Sequence, residues 1–456
     1  MTDADSARPG VPLYAYYVVL CLMLASAFSF LDRLVLSLLI DPIRADMGLT
    51  DSQVSLLAGP AFALCYVACA FPFGRWVDTR SRRSAIVLGI SLWSLATAAC
   101  GLVRGYWALF TARMGVGVGE ASLNPAAYSM IPDYFPPHRR GLATAIFACG
   151  ASIGGGVAIL AGGIVVQRAM ETRPTLPGLD SIAPWQFVFV AVGLPGLLVA
   201  LLFWLTVREP ARRFTPLETG EAPKMCEVFG FVGANRAAIV PMFLGFGAFA
   251  VSGYAFQLWG PAYFMRLHGL TAGEVGMVFG LGYGLGGTAA ILLGGVLSDA
   301  LVKRGRSDAP ILVSIGAAML QAPCFVTAYL MGDTTLAILF FVGGIFAASL
   351  VGGLQATIVQ SLAPNRMRGL LAALFGATVN VAGLGIAPTL TALLSDNVFG
   401  GPMGIGKALA VTTALAMAAS FTLLVTGRKS ARALAAQLAG QPISSPPSMT
   451  SSVPVT

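Results

Sequence analysis

The chain consists of long apolar runs separated by short polar breaks. A helix needs about 20 mainly apolar residues to cross the hydrocarbon core of a bilayer, so a run of that length predicts a membrane span. The sequence predicts twelve such spans, at residues 14–40, 53–77, 84–103, 107–130, 140–167, 185–207, 237–265, 272–298, 310–331, 335–360, 369–394 and 404–426. We therefore predict an all-α polytopic membrane protein.

Polar segments divide these spans into two sets of six. A tail of residues 1–13 precedes a first six-helix bundle at 14–207, and a second bundle occupies 237–426. The linker between them, 208–236, carries nine charged residues. Residues 427–456 form a second tail, which is rich in Ser and Pro from Gln441 onward, and we expect this last part to be disordered.

The two predicted bundles share sequence repeats. The motif GRWVDTRSRR begins at Gly74 after the second span, and GVLSDALVKR begins at Gly295 after the eighth. Both motifs place an Asp four residues after the Gly and end in basic residues. RRGLATAIF from Arg139 similarly matches MRGLLAALF from Met367. Repeats in equivalent loops predict two pseudo-symmetric six-helix bundles around a central cavity, as in alternating access.

The composition agrees with a membrane protein. Hydrophobic residues make up 56% of the chain and charged residues 11%, with a mean hydropathy of +0.79. Soluble domains carry about 25% charged residues, so a soluble fold is excluded. The net charge of +8 is spread over many short loops, and we expect no nucleic-acid partner.

The Lys and Arg residues predict the orientation in the membrane. With both termini in the cytoplasm, about 20 of the 28 Lys and Arg lie inside, as the positive-inside rule requires. The first apolar run is too long for a cleavable signal peptide, and the segment before it carries Asp3 and Asp5. We predict a multi-pass protein of the cell inner membrane with both termini cytoplasmic.

The sequence offers little for enzymatic or cofactor chemistry. Its seven Cys form no CxxC pair, and the two His fall in predicted loops, so we expect no metal site and no cofactor. There is no GxxxxGK[ST] motif for ATP. GVGVGE from Gly115 is flanked by apolar helix, which indicates close helix packing and not a dinucleotide site. We expect a protein that is not an enzyme.

Four charged residues lie within the predicted spans and away from their ends, and they are the strongest indication of function. Asp32 and Arg33 lie in the first span, and Arg113 and Glu120 lie in the fourth. At 1.5 Å per residue, Arg113 shares a level with the first pair, and Glu120 lies about 10 Å deeper on the same face. Charges inside a membrane are costly and mark transport pathways. Proton coupling is one interpretation of this balanced set, and a static salt bridge between two helices is the other.

Further candidates lie in loops and in the second bundle. The repeated loops predict a cytoplasmic gate, with helix capping and topology signals as the alternative; its residues are Gly74, Asp78, Arg82, Arg83, Asp299 and Arg304. Polar residues within the spans are candidates for the cavity wall, although such residues often only hydrogen-bond between helices. These candidates are Asn124, Tyr254, Gln257, Trp259, Gln355, Gln360 and Asn380.

The paired loops, the run RMGVGVGEA from Arg113 and the Gly-rich fifth span resemble the major facilitator superfamily over about residues 14–426. Within it, FLDR from Phe30 and ARMGVGVGEAS from Ala112 are similar to the spinster-like branch, whose eukaryotic members export lysolipids and phosphorylated sphingoid bases. The resemblance implies that Asp32 and Glu120 act as proton or substrate switches with Arg33 and Arg113 as partners, and that Asp78 and Arg82 belong to the gate. LDR is also similar to the anion:cation symporter branch, in which Arg33 would hold a carboxylate.

These observations together predict a proton-coupled secondary active transporter. We expect it to move a small amphipathic or lysolipid-like organic molecule across the inner membrane by proton antiport. The alternative is a proton-coupled symporter that imports a small organic anion. We expect its partners to be the substrate, protons and membrane lipids, and we expect a monomer.

Overall fold

The computed structural model describes residues 12–172, 182–212, 225–364, 367–401 and 403–440, and over these ranges the chain is helical. The helices of the first half are α1 (Leu13–Leu38), α2 (Ile40–Met47), α3 (Asp51–Ala58), α4 (Pro60–Thr79), α5 (Arg82–Cys100), α6 (Tyr106–Glu120), α7 (Leu123–Tyr134), α8 (Pro137–Thr172) and α9 (Pro184–Thr206). A further helix, α10 (Met225–Ala234), lies between the halves in the chain.

The second half continues the helical architecture. Its helices are α11 (Arg236–His268), α12 (Ala272–Leu281), α13 (Thr288–Lys303), α14 (Ala309–Leu330), α15 (Thr334–Ser349), α16 (Leu354–Ser361), α17 (Arg368–Asn380), α18 (Ala387–Leu394) and α19 (Gly404–Ala439). Three π-helical segments interrupt this half, at Gly282–Gly287, Val381–Ile386 and Ser395–Phe399. Because π-helical turns frequently mark functional sites, the first two are of interest below.

Eleven helical runs within the described ranges are long and apolar enough to cross a membrane. The twelfth predicted span, 107–130, consists of α6 and α7, which are 15 and 12 residues long and meet at Ala121–Ser122. Together they have the length of one span, whereas neither has it alone. The fold is therefore the predicted twelve-span bundle, with its fourth span broken directly after Glu120.

The spans run alternately between two ends of the molecule. We call the end that holds the start of α1 and the end of α19 the terminal end, and the opposite one the distal end. One apolar core at the distal end contains residues of both halves, including Leu34 and Trp259. Toward the terminal end, the core around Trp93 belongs mainly to the first half, whereas the core around Phe246 belongs to the second. The halves thus pack together distally and have separate cores terminally.

Glycines permit the close contact between the halves. A Cβ at Gly156 of α8 would lie 2.7 Å from the Cα of Gly284, and one at Gly163 would lie 3.0 Å from the Cα of Gly276. The backbones of the fifth and eighth spans therefore touch without intervening side chains. This is the close approach that small residues give to membrane helices.

The helices extend beyond two predicted boundaries. Helix α19 continues to Ala439, where the sequence analysis ended the last span at residue 426, because the Ala-rich segment favours helix and buries Ala431 and Leu434. Helix α10 occupies part of the predicted linker and buries Val228. The expected disorder of residues 441–456 falls outside the described residues, as does most of the tail 1–13.

Candidate functional site

Glu120 and Arg33 form a buried ion pair between the fourth and first spans. The Oε2 atom of Glu120 accepts hydrogen bonds from Arg33 Nε at 2.6 Å and from Ser29 Oγ at 2.5 Å, and it also pairs with Arg33 Nη2. The Glu120 side chain is fully buried, whereas 17% of the Arg33 side chain remains exposed. The predicted proximity of these two residues is therefore observed, and Ser29 is a third member that the sequence analysis did not identify.

Asp32 and Arg113 lie beside this pair, and some of their polar atoms make no hydrogen bond. The Nη1 atom of Arg113 donates a long hydrogen bond, 3.4 Å, to the main-chain oxygen of Asp32. Three buried polar atoms in this cluster have no hydrogen-bond partner among the described residues: Asp32 Oδ1, Arg113 Nε and Glu120 Oε1. Buried polar atoms are rarely left without partners. The two carboxylate oxygens can therefore take up a proton or accept a further hydrogen bond, and Arg113 Nε can donate one to a ligand.

Aromatic rings surround the Arg33 guanidinium. Its central carbon lies 4.6 Å from the ring centroid of Phe62, and 5.4 Å from those of Phe30 and Tyr66. Cation–π attraction of this kind is stronger away from water. The rings therefore stabilise the charge of Arg33 in a way that does not require the Glu120 carboxylate.

Glycines bring the fourth span close enough for this cluster to form. A Cβ at Gly117 would overlap the main-chain oxygen of Phe62, and one at Gly119 would lie 2.6 Å from the backbone nitrogen of Trp93. The expectation of close packing for the GVGVGE segment is thereby confirmed. The segment positions Glu120 at the end of α6 against the first span.

Two cavities between the halves adjoin the cluster. The first is partly open and is lined by Arg33, Leu34, Ser37, Ala58, Phe62 and Arg113 of the first half and by Tyr254, Gln257, Leu258, Leu384 and Pro388 of the second. The second is also partly open and is lined by Phe30, Leu34, Ala151, Ser152, Gly155, Gln257, Tyr283, Gly287, Ile291, Ser349 and Gly352. Because Leu34 and Gln257 line both, the cavities are neighbours. The charges on their walls belong to the first half, and the second half contributes amide, hydroxyl and apolar groups.

The other predicted cavity residues lie elsewhere. Asn124 donates to the Tyr66 hydroxyl at 3.2 Å, and buried Trp259 donates to the Pro388 carbonyl at 3.0 Å, so both join helices. Gln355 lies in α16 and Asn380 ends α17, and neither is among the lining residues of the two cavities. Tyr254 and Gln257 are the two candidates that line a cavity.

A second cluster of charged side chains joins the halves at the distal end. The sequence analysis did not identify it. Arg266, near the end of α11, donates to Asp51 through Nη1 at 2.7 Å and Nη2 at 2.9 Å, and it contacts Asp41 at 2.6 Å. Arg44 also pairs with both aspartates. We call Asp41, Arg44, Asp51 and Arg266 the distal ion cluster. No sequence signal identified Arg266, because a basic residue at the end of a span is ordinary.

The distal contact extends to a further polar pair. The backbone nitrogen and hydroxyl of Ser52 both donate to Asp396, at 2.8 and 2.7 Å. Residues 51 and 52 begin α3 in the first half, whereas residue 396 lies in a π-helical segment of the second. Together with the distal ion cluster, this pair closes the distal end between the second span and the seventh and eleventh.

The predicted gate residues lie at the terminal end. Arg82 is buried and bonds Asp133, Glu209 at 2.8 Å and the carbonyls of Ser129 and Pro210. These contacts remain within the first half and its linker. Burial raises the pKa of Glu209, but hydrogen bonds from the Arg83 backbone, Arg82 and Ser81 outweigh it and hold that pKa below its ordinary value.

The remaining gate candidates are less constrained. Arg212 of the linker donates to the carbonyl oxygens of Val77, Asp78 and Arg80 at the end of α4. The side chain of Asp78 is exposed, as are those of Asp299 and Arg304 in the repeated loop, and a Cβ at Gly74 would meet nothing within 4 Å. A gate formed by these two loops stays a prediction.

Comparison with known proteins adds to this geometry. The family model of the Major Facilitator Superfamily matches residues 22–388. The chain is 26% identical to an MFS-type efflux pump of Mycolicibacterium smegmatis, covering 90% of this chain and 92% of the pump. It is 25% identical to a D-galactonate transporter of Escherichia coli O6:H1, covering 92% and 97%.

A solved structure is similar along nearly the whole chain. It is the inward-facing, unoccupied form of a bacterial homolog of the human lysosomal transporter Spinster, with 28% identity and a TM-score of 0.76 over 95% of this chain and 98% of that one. The D-xylose-proton symporter, at 16% identity and a TM-score of 0.68, shares the fold. The resemblance to the spinster-like branch is thus confirmed, and the chain is no enzyme. The chain belongs to the major facilitator superfamily of transporters.

Proposed function

We propose that this protein is a proton-coupled antiporter that moves a small amphipathic organic molecule across the cell inner membrane by alternating access. The observation that carries the proposal is the buried set of Asp32, Arg33, Arg113 and Glu120, which has unpartnered polar atoms and whose two arginines line a cavity between the halves. The similarity of this chain to an MFS-type efflux pump supports export of the substrate.

Charge balance within the cluster couples protons to substrate. The two acids and two bases are neutral together when all four are ionised. If Arg33 turns from Glu120 to an anionic group of the substrate, Glu120 is left as a buried anion without its partner. An unpaired buried charge is too costly to populate, so each state exchanges one set of pairings for another or changes its protonation. In antiport, the state that carries the substrate and the state that carries the proton are two different sets of these pairings.

We assign the terminal end to the cytoplasm. The positive-inside rule supports this orientation, because the loops at that end carry most of the Lys and Arg. The distal ion cluster then closes the outer side, and the described conformation is the one open inward. The bundles at 14–207 and 237–426 are the two bodies that rock, and we expect the protein to act as a monomer.

Flux into proteoliposomes tests the proposal. Thermal stabilisation of the purified protein first selects a substrate from lysolipids, sphingoid bases and small organic acids, because a ligand that binds the native state raises its apparent stability. We expect uptake of that substrate to depend on an imposed pH gradient, and we expect Asp32→Asn and Glu120→Gln to abolish the dependence.

Glu274→Gln is the matched control for these two variants. Glu274 is exposed and accepts hydrogen bonds from Thr271 in a helix cap, a contact that Gln can keep. This variant should retain wild-type flux and its pH dependence. Flux that ignores the gradient in the wild type, or that keeps its pH dependence in both site variants, would contradict proton coupling at this cluster.

A symporter of small organic anions is the second candidate. Two guanidinium groups, Arg33 and Arg113, line one cavity, and the chain is similar to a D-galactonate transporter. In this case a bound anion adds one negative charge, and one proton restores neutrality, so both cross together. Stabilisation by D-galactonate or another small carboxylate, without stabilisation by any lysolipid, would favour this candidate over antiport of an amphipathic molecule.

A further inference from the structure

Tyr254 is a hydroxyl-bearing residue of the second half that lies near the charged cluster. It lies on α11 and lines the cavity that Arg33 and Arg113 also line. Its ring also packs against the core of the first half around Trp93. The phenol therefore stands opposite the cation that we propose as the anion partner, and it carries a hydrogen that it can donate.

A glycine in a π-helical segment fixes the position of this ring. A Cβ at Gly383 would overlap Cδ2 of Tyr254 and would lie 2.7 Å from its Cε2. Gly383 belongs to Val381–Ile386, whose next residue, Leu384, lines the same cavity. The main-chain oxygen of Leu384 would in turn lie 2.5 Å from a Cβ at Gly59, in the second span. The ring thus occupies a notch that only glycine leaves open, at a contact between the halves.

We propose that Tyr254 donates a hydrogen bond to the anionic group of the substrate, and that Gly383 is the positioning residue that holds the ring for this contact. The inference rests on the proposed anion site at Arg33 and Arg113. It specifies an oxyanion, such as a carboxylate or phosphate, because one group must accept from two guanidinium ions and a phenol at once. A site built to hydrogen-bond a substrate discriminates strongly against analogues that lack the acceptor.

The binding of such an anion links the two halves. Arg33 and Arg113 belong to the first half and Tyr254 to the second, so the bound group bridges the cavity. Substrate recognition and the contact between halves then depend on one hydroxyl. A neutral analogue of the same length leaves that hydroxyl without an acceptor and does not form the bridge.

The test compares octyl phosphate and D-galactonate with octanol as probes. Their apparent dissociation constants follow from thermal stabilisation of the full chain in detergent. We expect Tyr254→Phe to weaken binding of the oxyanion probe by about 10- to 100-fold, the range for a hydrogen bond to a charged group. Binding of octanol should change less than twofold, and a general structural role of Tyr254 would not produce this difference.

Gly383→Ala tests the positioning role. We expect it to weaken oxyanion binding as Tyr254→Phe does, and the double variant to show no further loss, because both changes act through one hydroxyl. Gly376→Ala is the matched control, since a Cβ there meets nothing within 4 Å. Should Gly383→Ala fail to fold, Tyr254→Phe still decides the hydroxyl contact.

Two results would overturn the inference. If an oxyanion probe binds the wild type and Tyr254→Phe binds it equally well, the hydroxyl makes no contact, while the proposed transport function stands. If neither oxyanion probe binds the wild type, the anion site at Arg33 and Arg113 is absent and the inference falls with it. The pH dependence of flux tests proton coupling independently of both results.

Discussion

Replacing Arg266 with Gln should shift the protein toward a conformation that is open at the distal end. Arg266 is the member of the distal ion cluster that belongs to the second half, and its guanidinium bonds both Asp41 and Asp51 of the first. The variant leaves these two aspartates with Arg44 alone. The distal-closed state therefore loses ionic contacts between the halves, whereas a distal-open state, in which the pairs are already separated, loses none.

The burial of the three side chains sets the size of the effect. Asp51 is 5% exposed, Arg266 18% and Asp41 35%, so the cluster lies between a buried and a surface ion pair. Removing one partner of a buried pair costs about 3 to 5 kcal/mol, and exposed pairs contribute about 0 to 1 kcal/mol. We expect a shift of about 2 to 4 kcal/mol, which is about 30- to 900-fold in the ratio of closed to open states.

Distances between spin labels measure this shift. Labels on Arg104→Cys and Gly332→Cys, two exposed distal positions in opposite halves, should report a longer distance in Arg266→Gln once the native cysteines are replaced. Arg266→Lys, which keeps the charge but not the two-pronged contact, should give an intermediate shift. Lys407→Gln, an exposed position at the distal end of the second half and outside the distal ion cluster, is the matched control. Unchanged distances in Arg266→Gln, or additive effects of Arg266→Gln and Asp51→Asn, would refute the reasoning.

Three further predictions concern stability, all checked by thermal or acid unfolding in detergent. Arg82→Ala should lower the melting temperature strongly because it removes a buried guanidinium that bonds Asp133, Glu209 and two backbone carbonyls, whereas exposed Arg75→Ala should not. The pKa of Glu209 is lower in the folded state than in the unfolded state, so its carboxylate stabilises the fold above the unfolded pKa. This contribution to the free energy of unfolding is lost as the pH falls below about 4, and Glu209→Gln should not show the loss. Gly119→Ala should lower the melting temperature because the new Cβ would lie 2.6 Å from the backbone nitrogen of Trp93, whereas a Cβ at Gly376 meets nothing within 4 Å and Gly376→Ala should not. Equal melting temperatures of the two variants would contradict this prediction.

The lengths of the apolar runs and the repeated loops were sufficient to predict the fold. Each span is a run long enough to require a membrane, and the repeated loops at Gly74 and Gly295 divide the spans into two equivalent sets. The break after Glu120 was not predicted, although Pro125 marks it in the sequence. Pro125 has no N–H to donate to the Ala121 carbonyl four residues earlier, and its ring crowds that carbonyl. The extension of α19 was missed because residues 427–439 are too polar for a span but are good helix formers.

The central cluster was predictable because charge inside a span is rare. Asp32, Arg33, Arg113 and Glu120 differ from all their neighbours, and helical spacing alone placed them at compatible depths. Ser29 was not predictable in this way, since Ser is common in membrane helices. Arg266 lay at the end of a span, where a basic residue is ordinary, and only its contact with Asp51 across the halves distinguishes it.

The positions of the two ion clusters constrain the coupling that we propose. The central cluster lies on two helices of one half, so rocking of the halves does not by itself separate Arg33 from Glu120. The distal ion cluster joins the halves, and opening the distal end must break it. Groups that line the shared cavity can carry a signal from the central cluster to the second half. Tyr254 is such a group, because it lines this cavity together with Arg33 and its ring packs on Gly383. In the proposed mechanism, a change of charge at Glu120 reaches the second half through the contact that the bound anion makes with Tyr254.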